Sequence, residues 1–231
     1  MNGLRTLSFA LLPLAMVVGC GSTDPGADPN GGATCQRETG VLLPWKVGNK
    51  WTYKVTDNGE ISQKVTTIEA AEPVGGSGPN ADKMAYKVVT KKGIDDQTIS
   101  WQAPDGDKVV RYREQSFGAM TKMLQLEEHW DPYKLHIDGT AEHLVANKVW
   151  VETYKETKLP AGSQATTATA MDAWQVVNEC EVIQGLDKTY NALKVTKQGG
   201  DLKTYWYVPG IGKVKETGGQ TEELVKFEEA P

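Results

Sequence analysis

From Leu42 onward the apolar residues of this chain recur with period two, and that alternation restricts the fold more than any other feature. Trp51, Tyr53 and Val55 alternate with Thr52, Lys54 and Thr56, and Met84, Tyr86 and Val88 alternate with Ala85, Lys87 and Val89. Val110 and Tyr112 alternate with Arg111 and Arg113. Successive side chains of an extended chain point to opposite faces, so each run can bury one row and leave the other in water. Turn-forming clusters divide the runs: Asp57-Asn58-Gly59, Gly75 to Pro79, Lys92-Gly93, Pro104 to Asp107, Gly199-Gly200-Asp201 and Gly218-Gly219. Strands separated by such turns at intervals of roughly 8 to 15 residues predict an all-β antiparallel meander of roughly eleven to thirteen strands. Residues 119–130 have some helical character, but Pro132 and the neighbouring aromatics favour strand and loop.

A weak internal echo runs through this pattern. Asn49-Lys50-Trp51 returns as Asn147-Lys148-Val149-Trp150, and Lys87 to Lys91, leading to Trp101, returns as Lys194 to Lys197, leading to Trp206. Two similar halves, 41–115 and 145–217, would together make one domain over 41–231.

The ends of the body carry a resemblance. Leu43-Pro44-Trp45-Lys46-Val47-Gly48-Asn49-Lys50-Trp51-Thr52-Tyr53 is similar to the opening motif of bacterial exported lipoproteins of unassigned function. Trp206-Tyr207-Val208-Pro209-Gly210-Ile211-Gly212-Lys213-Val214 resembles their closing motif. The resemblance implies a half-barrel or open barrel of the lipoprotein-carrier type, a strongly curved antiparallel meander around an apolar concavity, and it brings no catalytic residues. Physically, Gly48-Asn49 is a turn feeding an amphipathic strand, with Trp51 and Tyr53 inward. Pro209 to Gly212 is a tight connection that needs glycine for positive φ or close backbone approach.

The first residues read as an address. Arg5 precedes a nearly unbroken apolar stretch, Leu7 to Val18, which as a helix spans roughly 18 Å against a hydrocarbon core of ~30 Å. That is a secretory signal over 1–19. Its exit, Val17-Val18-Gly19-Cys20, resembles the bacterial lipobox, which implies lipidation of Cys20 and a membrane anchor. Gly21, in place of the aspartate that retains such proteins at the inner membrane of enteric bacteria, implies the outer membrane. Residues 20–40, rich in Gly, Pro and Asp, read as a flexible tether. With Cys20 committed to lipid, Cys35 and Cys180 are left as a disulfide pair in an oxidising compartment.

Chemistry is sparse. His129, His136 and His143 are spaced by seven, but Pro132 and Gly139 break any shared helix, so they read as solvated loop residues rather than a metal site. No catalytic or phosphate-binding motif is present, and neither an enzyme nor a cofactor is expected. A net charge of −5 argues against nucleic acid as a partner. Lysines alternating with apolar residues read as a solvated face. Seven Trp and eight Tyr against three Phe mark the chain. Trp51, Tyr53, Tyr86, Trp101, Trp174 and Trp206 are therefore the candidate core or ligand aromatics. The favoured role is a membrane-anchored structural or interaction component of the cell envelope, contacting other envelope proteins. The alternative is a carrier holding a lipid or other apolar ligand in its concavity.

Overall fold

The computed structural model describes residues 35–94 and 96–231, so the signal, Cys20 and most of the tether lie outside the described residues. Twelve antiparallel strands follow one another around a ring. The first six are β1 (Lys50–Asp57), β2 (Glu60–Pro73), β3 (Met84–Lys92), β4 (Asp96–Asp105), β5 (Lys108–Phe117) and β6 (Leu124–Asp138). The second six are β7 (Val149–Pro160), β8 (Thr166–Gln184), β9 (Thr189–Gln198), β10 (Leu202–Val208), β11 (Gly212–Thr217) and β12 (Thr221–Glu228). Each strand pairs with its chain neighbours and β1 pairs with β12, which closes the barrel. The expected meander is present, and its curvature runs to full closure rather than stopping at a half-barrel. Closure removes both free sheet edges, which would otherwise expose unpaired N–H and C=O groups. Residues 119–123 form the β5–β6 turn, and strand resumes at Leu124.

The tight turns fix the register. Asn58-Gly59, both at positive φ, make the two-residue β1–β2 hairpin, so Tyr53 stands opposite Lys64 and Trp51 opposite Thr66. Trp51, Tyr53, Ile68, Val88, Trp174, Val195 and Leu224 belong to one continuous buried cluster. The outer face carries ion pairs, among them Lys50 with Glu228, Lys54 with Glu223 and Lys87 with Glu69. A membrane-spanning barrel instead needs an outward apolar band about 25 Å tall.

The two ends of the barrel differ. At the end holding the β4–β5 and β10–β11 turns, the segment from Leu42 to Trp45 folds into the core, with Leu42 and Leu43 both buried. Gly212, at φ +100°, allows this approach: a Cβ there would sit 2.7 Å from Leu43 Cδ1. Trp51 Nε1 donates to the Ile211 carbonyl at 2.6 Å, and Asn49, fully buried, donates to the Pro44 carbonyl and accepts from Ala230 N–H. The opening and closing motifs of the sequence thus meet as a plug. The opposite end holds the β3–β4, β9–β10 and β11–β12 turns.

Strands six apart carry the echoed segments: Trp51 lies on β1 and Trp150 on β7, while Trp101 lies on β4 and Trp206 on β10. Trp101 Nε1 donates to Glu72 of β2, and Trp206 Nε1 donates to Glu181 of β8. Arg113 of β5 covers the Trp101 ring and Lys215 of β11 covers the Trp206 ring.

The β2–β3 connection packs over the outer face of β4 to β6, with Val74 joining Ala85 and Trp101 in a small second core. Asn80 donates to the Trp130 and Pro132 carbonyls at 2.7 and 2.9 Å. A Cβ on Gly78 would lie 2.3 Å from His129 Nδ1. Gly78→Ala should therefore cost about 1–3 kcal/mol by forced displacement of a buried ring, read as a lower urea midpoint at unchanged m-value.

Candidate functional site

The strands enclose a lumen with a cavity of about 520 Å³, within the range of small-molecule pockets. Its floor is the plugged end, where Leu43, Trp45, Trp51 and His136 face it, and its mouth is rimmed by Thr90, Thr98, Asp201, Lys203 and Gln220. Aromatic rings pave one wall: Trp174 lies 6.2 Å from Tyr205, and Tyr205 lies 6.0 Å from Tyr207. Trp45 and Trp51 stack at 6.2 Å on the floor.

The remaining lining is charged. Lys64, Arg111, Lys134, Lys197, Lys203 and Lys213 face the cavity together with Glu114, Asp201, Glu216 and Glu222. This corrects the reading of the lysines as a solvated outer face. Period two separates two faces, and here a substantial share of the lysines points inward. Lys64 reaches both oxygens of Glu222 at 2.8 and 3.0 Å, and Lys213 bridges Glu222 at 2.7 Å to Glu216. Lys203 closes the network on Glu216 at 3.0 Å. Burial opposes ionisation of Glu216, but Lys213, Lys203 and Lys64 outweigh it and bring its pKa down to about 2. Burial likewise opposes the charge on Lys213, yet Glu216 and Glu222 hold that ammonium well above its usual range.

Deeper in the cavity, Arg111 Nη1 donates to Glu114 at 2.6 Å and Nη2 meets His136 Nδ1 at 3.3 Å. Burial, then Arg111, Lys213, Lys197 and Lys64, hold His136 well below the usual imidazole range. Lys197 pairs with buried Asp172 at 2.8 Å. Among the described residues, four polar atoms of lining residues are closed off from solvent without a protein partner: Gln102 Oε1, Arg111 Nε, Trp45 Nε1 and Trp174 Nε1.

Of the aromatics singled out by sequence, Trp51, Tyr53 and Trp174 line the cavity, and Tyr86 packs against the main core. Trp101 and Trp206 stand on the opposite faces of their strands, because Ser100, Gln102, Tyr205 and Tyr207 take the inward positions. Cys35 and Cys180 are bonded, with Cα atoms 5.7 Å apart. Residues beside Cys35 also dock on the barrel: Arg37 donates to the Glu179 carbonyl and Asn191 donates to the Gln36 carbonyl.

None of the three histidines is a solvated loop residue. His129 is buried on the outer face under the β2–β3 connection, with Nε2 2.7 Å from Glu127, itself held by Arg113 and Gln115. His136 faces the lumen. His143 stacks on Trp150 at 4.2 Å and reaches buried Asp138 at 2.7 Å. Among the described residues no group of three or more His, Cys, Asp or Glu is placed to hold a metal ion. The sequence reading missed Lys64, Arg111, His136, Lys197 and Lys213 as lumen residues. For Lys64 a signal existed, since the Asn58-Gly59 hairpin sets it opposite Tyr53 and therefore on the same face.

Fold and lumen together define a closed twelve-stranded barrel with a charged, aromatic-walled interior. No protein-family model matches the chain, and no curated protein does. Among solved structures it is similar to a Bacteroides fragilis protein described as a "putative exported protein with YmcC-like fold". That similarity has 11% identity and a TM-score of 0.48, and it covers 83% of this chain and 100% of the other. A likeness at that level says nothing of function.

Proposed function

We propose that this protein is an exported, non-catalytic component of the bacterial cell envelope, anchored through lipid on Cys20, whose lumen holds a polar small molecule. The observation that carries the reading is the cavity of about 520 Å³, lined by charged side chains and aromatic rings. The charged lining argues against the apolar cargo that the carrier resemblance implied, because desolvating Lys64, Lys197 and Lys213 against an acyl chain would be strongly unfavourable. A second reading, a protein-contact component of an envelope assembly, is favoured by exposed Val149, Val151 and Met171 on the outer face of the β7–β8 pair.

Native mass spectrometry on the intact acylated protein, purified from its own host's envelope, separates the two. A stoichiometric polar adduct is the expected result. A bare protein mass, together with a defined protein cross-linked through Val151, would overturn the ligand reading in favour of the second. The same spectrum should show the chain two hydrogen atoms lighter than the dithiol, as the Cys35–Cys180 bond requires.

A further inference from the structure

Resting on the ligand-holding reading, we propose that the molecule held in the lumen is a small soluble organic anion, its carboxylate or phosphate seated at the floor against Arg111 and His136. Six cationic side chains, Lys64, Arg111, Lys134, Lys197, Lys203 and Lys213, line the cavity against four carboxylates, Glu114, Asp201, Glu216 and Glu222. A guanidinium has only donors, so the contact between Arg111 Nη2 and His136 Nδ1 makes that nitrogen the acceptor. Neutral His136 then carries its proton on Nε2 and adds one more donor.

Most of the acids near the cavity are already paired with cations. Glu114 takes Arg111 Nη1, Asp172 takes Lys197, and Glu222 takes Lys64 and Lys213. The surroundings of His136 are accordingly positive: Arg111, Lys213, Lys197 and Lys64 all act on the ring to disfavour its protonation. Donors of this kind are what an oxyanion recruits, and charge-assisted bonds to it are the strong ones. The wall of Trp174, Tyr205 and Tyr207 suits a ring or flat body attached to the acid. The mouth excludes a lipid tail, because Thr90, Thr98, Asp201, Lys203 and Gln220 give an acyl chain nothing apolar to lie on.

The test uses the acylated protein in phosphatidylcholine vesicles, with empty vesicles titrated in parallel. Calorimetry compares 2-naphthoate and 2-naphthyl phosphate with 2-naphthalenemethanol and 2-naphthylmethylammonium. The acids should bind at least about tenfold more tightly than the alcohol, the size of one or two hydrogen bonds to a charged group. Which acid binds better separates a carboxylate from a phosphate source. Arg111→Gln should erase the preference, while Lys226→Gln on the exposed face should leave it intact. The wild-type comparison of probes stands even where Arg111→Gln fails to fold. Alcohol or ammonium binding as tightly as the acids, or a neutral or cationic molecule extracted from the native protein, overturns the anion assignment and leaves the lumen reading in place. Absence of binding by all four probes, with a bare native mass, overturns both.

Discussion

Glu222→Leu is expected to lower the unfolding free energy by about 3 kcal/mol, the effect of leaving buried cations without their counter-ion. Glu222 is 1% exposed and stands between Lys64 and Lys213, which burial and each other already make hard to accommodate. The Lys64 side chain stays 21% exposed, and that screening places the cost toward the lower end for broken buried pairs. The measurement is urea unfolding followed by tryptophan fluorescence, with a companion Lys64→Met, Glu222→Leu double variant. If the penalty is the unpaired charge, the double variant recovers part of the loss; equal losses would point to packing instead. The same network gives the acid limb of stability. A carboxylate with a folded pKa depressed below its unfolded value adds stability above the unfolded value, and that stability fades as pH falls through the folded one. For Glu216 the window runs from the unfolded value near 4.5 down to about 2, and Glu222 shifts in the same direction. Stability should decline steadily across that window, and less steeply in a Glu216→Gln, Glu222→Gln chain.

Removing the disulfide as the paired Cys35→Ser, Cys180→Ser variant should cost up to about 5 kcal/mol in the chain-entropy model, because the bond joins residues 145 apart. Nearly the whole of β1 to β8 lies inside that loop, so its effect falls on the unfolded chain. Guanidinium unfolding of oxidised, reduced and paired-serine chains decides the matter. A loss under about 1 kcal/mol would mean that the bond serves the docking of residues 35–40 alone.

The strands were legible because Trp51, Tyr53 and Val55 obey one parity and Asn58-Gly59 dictates the turn that follows. The disulfide was legible by elimination, once Cys20 was assigned elsewhere. The inside of the barrel was not. In a sheet with a dry core, alternation marks the buried face by its apolarity, but around a wet lumen both faces carry lysine. Lys213 and Lys215 look equivalent in sequence, yet a bulge in β11 opposite Trp206 and Tyr207 turns Lys213 toward Tyr53 and Lys215 over Trp206. The run Tyr205-Trp206-Tyr207 is similarly ambiguous, since either parity offers aromatics to the core. The histidines defeated a local reading because the residues around His129 come from β5, β6 and a distant glycine loop.

The site of that disulfide has a mechanical meaning. The chain reaches the barrel at Cys35, and the covalent bond to β8 lies ahead of the plug formed by Leu42, Leu43 and Trp45. Were the chain anchored as proposed, a pull from its N-terminal side would reach β8 through the sulfur bridge before it reached Leu42 and Leu43, and the base of the barrel would stay closed under load.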